Sequence, residues 1–387
     1  MIRRLRYMLL AVLLLLIAFS YHPAIAEMGR AAGMESGTIL SKYVRIVFLL
    51  LFAVSVTFSF WKDRFMRGFT ILLVLIALTA FLIWAIIENP RMVNTLKDMV
   101  LCYLAVIIGW KLHPSRLVLE KILLFFSVAI FFCGFMQVLQ NVGGFVIRAQ
   151  YLADFKNSLG GLLAMATVSM AILWRRSDRR RVRLISFLLF LLGFVLILTI
   201  RARGALLAAL LVILLLFINQ FRRKNTILTV ALVIIAFLLV IPLLPDSVYQ
   251  YIHGSLFAGG QGLDISSGRF ATYRAALDYL MEDNHLWFGV IDQSFNLGHW
   301  IHNFPLLQAF RYGVLFSAPI LALYFYLVFF AFRRILRVSD PLRDCGYALV
   351  MIMVIISLLE PTFPFSPGTV TLFSFMALGF SLRFRYD

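Results

Sequence analysis

Arginines at the edges of long apolar runs are the first residues in this sequence that could do chemistry. Arg201 and Arg203 lie in Ile200-Arg201-Ala202-Arg203-Gly204, at the junction of two such runs. Arg269 follows Ser266-Ser267-Gly268, Arg148 and Lys156 lie in a shorter polar segment, and Arg311 falls inside an apolar run. A cation at membrane depth costs on the order of several kcal/mol, so such residues persist where they meet an anion. The 387 residues hold only 18 Asp and Glu against 36 Lys and Arg, too few carboxylates to partner every cation. An anionic ligand at the membrane surface is the natural partner, and the planar guanidinium fork suits phosphate because it offers two donors at once. The alternative for each arginine is to snorkel to lipid headgroups.

Histidine supplies the acid–base candidates. His22 and His113 flank apolar runs, and His253 and His285 read as loop residues. His299 and His302 sit close together before another run, with Asn303 next. An imidazole at a membrane boundary beside a polar loop can act as a general base, although a lone histidine there more commonly serves structure alone. No Cys or well-spaced carboxylate accompanies the two, so no metal site is expected. There is no Walker loop, dinucleotide-binding turn or HExxH, so no cofactor is expected either.

The elements that must position these residues follow from composition. The chain is 62% apolar and 14% charged, with 38 Phe and a mean hydropathy of +0.94. A soluble domain is about 45–50% apolar and about 25% charged, so a water-soluble fold and disorder are both excluded. The three Cys lie in or beside apolar runs, which excludes a disulfide scaffold. The expected class is all-α, a polytopic membrane helix bundle. About twelve transmembrane helices fit, near 7–25, 42–61, 68–87, 98–111, 117–139, 159–174, 184–200, 204–220, 226–244, 305–332, 343–360 and 368–382. The fourth, sixth, seventh and eighth read as short.

A net charge of +18 raises the question of nucleic acid, but the basic residues form short clusters between apolar runs. About two thirds of them fall on alternate connections, among them the six arginines of Arg175–Arg183. That is the positive-inside pattern, and it places both termini in the cytoplasm with an even number of spans. The first span has a second reading: a basic start, an apolar core and Ala24-Ile25-Ala26 before Glu27 also suit a cleaved secretory signal.

The organisation expected is residues 1–244 as transmembrane helices 1–9, 245–304 as a large outer loop, and 305–387 as transmembrane helices 10–12. No internal repeat separates further domains. Within the loop, Phe270, Tyr273, Leu277, Leu280 and Met281 recur at three- and four-residue spacing, giving an amphipathic helix that Ser266 or Ser267 would cap. The stripe would lie on the membrane or on the bundle, with core packing the simpler role for its residues.

Three segments together resemble the bacterial O-antigen ligase and O-antigen polymerase superfamily. Leu198-Thr199-Ile200-Arg201-Ala202-Arg203-Gly204-Ala205 is similar to the family's Ser-Arg-Gly segment, with Arg203 in the Arg position and Ala202 in place of Ser. Ser267-Gly268-Arg269, followed by the amphipathic helix and Phe288-Gly289-Val290, is similar to the start of the family's periplasmic loop. His302-Asn303, nine residues, then Gly313 is similar to the ligase signature, with Phe316 where a second Gly would stand. The resemblance covers about residues 195–335. It implies a GT-C-like bundle in the bacterial inner membrane, with a periplasmic helical cap and a periplasm-facing site.

The resemblance also implies a glycosyltransferase. Its donor would be a glycan on undecaprenyl diphosphate, and its acceptor lipid A-core for a ligase or a lipid-linked glycan for a polymerase. His302 would be catalytic. Arg203, Arg269 and Arg201 would hold the diphosphate, with Asn303, Arg148, Arg311 and His299 in support. Membrane lipids are the remaining partners. The rival class is a secondary transporter or flippase. Twelve spans and the short motif Asp63-Arg64 with Arg67-Gly68 favour it, and the late, long outer loop and missing repeat disfavour it.

Overall fold

The computed structural model describes residues 2–25, 28, 38–55, 64–87, 91–141, 156–200, 202–217, 269–282, 285–290, 301–337, 340–361, 363–365 and 368–384. Among these residues every regular element is helical. In chain order the helices are α1 (Ile2–Phe19), α2 (Thr38–Ser55), α3 (Arg64–Ile87), α4 (Arg91–Leu112), α5 (Arg116–Asn141), α6 (Lys156–Arg176) and α7 (Arg180–Thr199). There follow α8 (Arg203–Phe217), α9 (Arg269–Met281), α10 (His285–Phe288), α11 (Phe304–Ile335), α12 (Cys345–Ser357) and α13 (Gly368–Arg383). Six of them, α3 to α7 and α11, are long and apolar enough to cross a membrane, and α8, α12 and α13 are shorter apolar helices.

Each expected span meets a helix except the ninth, 226–244, which lies outside the described residues. The differences are at the edges. Helix α4 begins at Arg91, ahead of its apolar core, because Arg91–Asp98 continues the helix as a polar first turn and more. Helix α12 stops at Ser357, short of the expected 360. Leu358–Glu360 leave the helix and bring Glu360 to Arg269 and His302. His285, expected in a loop, lies in α10 with its ring stacked on Tyr279 at 4.7 Å.

Helix α12 is the centre of the bundle. It is buried along nearly its whole length, packed between α6, α8, α11 and α13. In lipid there is no water to drive helices together, so close packing of small residues does that work. Helices α4 and α13 meet at Gly109 and Gly379, where a Cβ added to Gly109 would lie 3.0 Å from the Gly379 Cα and on the Met376 carbonyl. On α3, α7 and α11, residues such as Ile71, Leu78, Phe81, Leu188, Val195, Phe325 and Phe329 turn outward, as lipid-facing side chains do.

The two ends of the bundle differ. At one, Arg116 reaches the Arg176 carbonyl at 2.8 Å and lies 3.8 Å from both Asp178 and Asp340, and Arg343 joins Asp340 at 3.8 Å. The other end holds the start of α8, the short helices α9 and α10, the start of α11 and the segment after α12.

Helix α11 is not a single rod. Gly313 has φ 68° and ψ 169°, which breaks it into two pieces. Helix α10 packs into the break: Gly289, with φ 74°, lies against the backbone of Arg311–Gly313, and the Val290 amide donates to the Phe310 carbonyl at 2.9 Å. A second small core forms here from Ala276, Leu280, Ile301, Leu307 and Phe310, with Tyr273 against it. The stripe on α9 therefore splits. Leu280 and part of Tyr273 pack on the bundle, whereas Phe270, Leu277 and Met281 are exposed, so core packing does not account for those three.

Candidate functional site

Helix starts and one helix end converge to make the site. Asn303 is the N-cap of α11: its Oδ1 accepts from the Leu306 amide at 3.0 Å, and Pro305 follows in the first turn. The cap fixes where the chain enters α11 and hence where His302 stands. The same Asn303 side chain donates through Nδ2 to the Leu358 carbonyl at 3.2 Å. The Tyr273 hydroxyl of α9 donates to the His302 carbonyl at 2.6 Å, with the Leu358 carbonyl 3.4 Å away. Three elements are thus tied together through backbone groups, so the geometry does not depend on flexible side chains alone.

Glu360, two residues beyond Leu358, lies between the charged groups. Its Oε1 accepts from the Arg269 guanidinium at 3.1 Å, and its Oε2 is 3.6 Å from His302 Nδ1. Glu360 is only 8% exposed, which makes those partners necessary rather than decorative. Removing one partner of such a buried pair typically costs about 3–5 kcal/mol, because the other charge is left uncompensated. Burial raises the Tyr273 phenol above its ordinary value; the Arg269 cation opposes this and Glu360 adds to it. Tyr273 therefore stays a donor at neutral pH.

Arg203 opens α8, and its neighbour Gly204 packs on Leu359: a Cβ added there would meet Leu359 Cδ1 at 3.2 Å. The first turn of α8 thus lies beside the 358–360 segment. Ala202 sits against Gly160 of α6 and Phe363 against Gly161, which bring α6 and the α12–α13 connection to the same place.

The sequence-derived candidates divide accordingly. His302, Asn303 and Arg269 meet, and Arg203 starts the helix packed beside them. Arg311 lies farther along, in the piece of α11 before the break, half-buried. Arg201, Arg148 and His299 lie outside the described residues, as do Ser266 and Ser267. Gly313 of the signature has a conformational reason, since its φ suits glycine, and Phe316 faces Phe288 with ring centroids 6.2 Å apart. Among the described residues, no three His, Cys, Asp or Glu side chains gather as a metal site would require.

Glu360 was missed by sequence reasoning. Its signal was present: one of only 18 acidic residues, placed at the end of an apolar run and followed by Pro361. The scarcity of carboxylates that makes the arginines stand out equally marks Glu360 as a candidate partner for a cation.

What the arrangement can do is clear in outline. It gathers an imidazole with one buried nitrogen, a carboxylate and two guanidinium-bearing helix starts at one end of a membrane bundle. Residues 187–310 match the family model described as O-antigen ligase. That stretch runs from α7 to the first piece of α11, taking in Arg203, Arg269, His302 and Asn303 and ending before Gly313 and Glu360. A search of curated proteins gives no match.

Proposed function

We propose that this chain, whose residues 187–310 match the family model described as O-antigen ligase, is a ligase of the O-antigen ligase and polymerase superfamily. It would transfer a glycan from undecaprenyl diphosphate to lipid A-core at the periplasmic face of the inner membrane. The observation that carries this reading is the convergence of His302 and Arg269 on one carboxylate, beside the helix that Arg203 begins.

The donor's lipid tail stays in the bilayer, between helices. Its diphosphate meets Arg203 and Arg269 at the membrane boundary, where a guanidinium fork binds phosphate oxygens in pairs. The acceptor hydroxyl loses its proton to His302 as its oxygen attacks the anomeric carbon. The bond from that carbon to the diphosphate oxygen breaks, and the electron pair leaves with undecaprenyl diphosphate. Attack opposite the leaving group inverts the anomeric centre. A positioned base contributes about 10²–10⁴-fold. Preorganised charge at the leaving group contributes comparably, since one lost donor at such a site typically costs about 10²–10³-fold. Bond cleavage in the donor supplies the driving force, so the proposed reaction consumes no nucleotide, and in this reading His302 and the arginines fill the roles of base and leaving-group stabiliser in place of a metal ion.

The test is in vitro transfer by full-length His302→Ala, Arg203→Ala and Arg269→Ala proteins at matched amounts in the membrane. Loss of transfer by each is expected. Near wild-type transfer by all three would refute the mechanism. A second reading, polymerase, draws on Phe316, which departs from the ligase signature. Complementation separates the two: loss of a ligase leaves lipopolysaccharide without O-antigen, and loss of a polymerase leaves a single repeat attached.

A further inference from the structure

Glu360 lies beyond the matched segment and outside the roles given above. We propose that Glu360 is a positioning residue for His302, holding the imidazole with Nδ1–H turned inward and Nε2 presented to the acceptor hydroxyl. The inference rests on the reading of His302 as the base.

Three observations carry it. First, His302 Nδ1 is buried and makes no hydrogen bond, while a third of the side chain remains exposed. The accessible edge is therefore the one bearing Nε2. Second, among the described residues the carboxylate paired with that nitrogen is that of Glu360, with Oε2 3.6 Å away. A closure of well under 1 Å makes this a hydrogen bond, and catalytic contacts in unliganded sites commonly start long. An acceptor at Nδ1 selects the tautomer whose Nε2 lone pair is free, which is what a base at that edge needs. Third, the backbone on both sides is fixed. Tyr273 donates to the His302 carbonyl, and Asn303 ties α11 to the Leu358 carbonyl.

Glu360 divides its oxygens, Oε1 to Arg269 and Oε2 towards His302. This gives Arg269 a neutralising contact that the donor's diphosphate would displace. When a diphosphate takes up the Arg269 guanidinium, the carboxylate is left with His302 as its remaining partner. The base then becomes best oriented when the donor is bound. As the hydroxyl proton arrives at Nε2, the imidazolium formed is paired with the Glu360 carboxylate through Nδ1–H. No proton moves to Glu360, and the diphosphate departs with its electron pair as described above.

The experiment uses purified full-length protein with undecaprenyl diphosphate-linked glycan as donor and lipid A-core as acceptor. The variants are Glu360→Gln, Glu360→Asp, His302→Ala and the double variant His302→Ala with Glu360→Gln. Glu360→Gln is expected to lower kcat by about 10–100-fold, the usual scale for removing a group that orients a functional histidine. The donor KM should not rise, because Arg269 is released rather than lost. Glu360→Asp should recover part of kcat. In the His302→Ala background, Glu360→Gln should cost little more, since residues acting as a unit are not additive.

Wild-type kcat in Glu360→Gln, or a full additional loss in the double variant, overturns the proposal and leaves Glu360 a structural ion-pair partner. If Glu360→Gln does not fold, Glu360→Asp carries the test: reduced kcat at unchanged donor KM is expected, and unchanged kcat overturns it. Wild-type transfer by His302→Ala would instead defeat the assignment of the base, a result the Glu360 variants alone do not give.

Discussion

Substituting Gly313 by alanine tests whether the break in α11 holds the site together. Gly313 has φ 68° and ψ 169°, a region that costs a residue with a Cβ about 1–3 kcal/mol. Its added methyl would also lie on the Trp287 carbonyl oxygen and the Phe288 amide nitrogen, both backbone atoms that cannot rotate away. To make room, α10 must leave α11. That breaks the hydrogen bond from the Val290 amide to the Phe310 carbonyl, worth about 1 kcal/mol, and the Phe288–Phe316 contact, worth about 0.5–1.5 kcal/mol. The loss comes to about 3–5 kcal/mol, a large share of a typical stability of about 5–15 kcal/mol. The assay is thermal unfolding of the detergent-solubilised protein, followed by size-exclusion chromatography after heating. The comparison is Gly204→Ala, a helical glycine whose neighbour is the movable end of the Leu359 side chain at 3.2 Å. Gly313→Ala should melt well below wild type and lose transfer, and Gly204→Ala should stay close to wild type. Equal melting of Gly313→Ala and wild type would refute the reasoning that the kink is conformationally obligatory.

Other perturbations address separate parts of the molecule. Asn303→Ala removes the α11 cap and the tie to Leu358, and should lower stability by about 1–2 kcal/mol and reduce transfer; Asn303→Asp keeps the cap acceptor and should retain more stability, as read by thermal unfolding. Gly109→Leu forces α4 off the α13 backbone and should abolish accumulation of folded protein in the membrane, as read by the monodisperse chromatographic peak. Asp344, in the connection before α12, is pushed up from 3.8 to about 6, first by burial and then by Asp340. Between those values the native state holds a proton that the unfolded chain has released, so stability falls as pH rises through that window. Asp344→Asn removes this cost, and it should stabilise by at most about 3 kcal/mol at pH 8 and leave stability unchanged near pH 3.5. An equal gain in melting temperature at both pH values would show that ionisation is not the cause.

The sequence by itself determined the all-helical class, most of the helices and several candidate site residues. Long apolar runs punctuated by arginine clusters admit one solution in a membrane, because backbone polar groups must be satisfied within each segment. The runs therefore appear as helices from Ile2 to Arg383 wherever the chain is described. His302, Arg203 and Arg269 stand out as candidates because charged and titratable groups at the ends of apolar runs are costly without a purpose, and Asn303 enters through the resemblance of its segment to the ligase signature. Only the tertiary structure decided the rest. That α12 ends early and turns Glu360 between Arg269 and His302 depends on contacts between residues about 60 to 90 positions apart, which no local periodicity records. That α11 breaks at Gly313 depends on α10 arriving from another part of the chain to fill the gap. Hydropathy measures what a segment does in lipid, residue by residue. Which side chains share a carboxylate is set by how helices pack, and that is decided by small residues and backbone approach rather than by the apolar pattern itself.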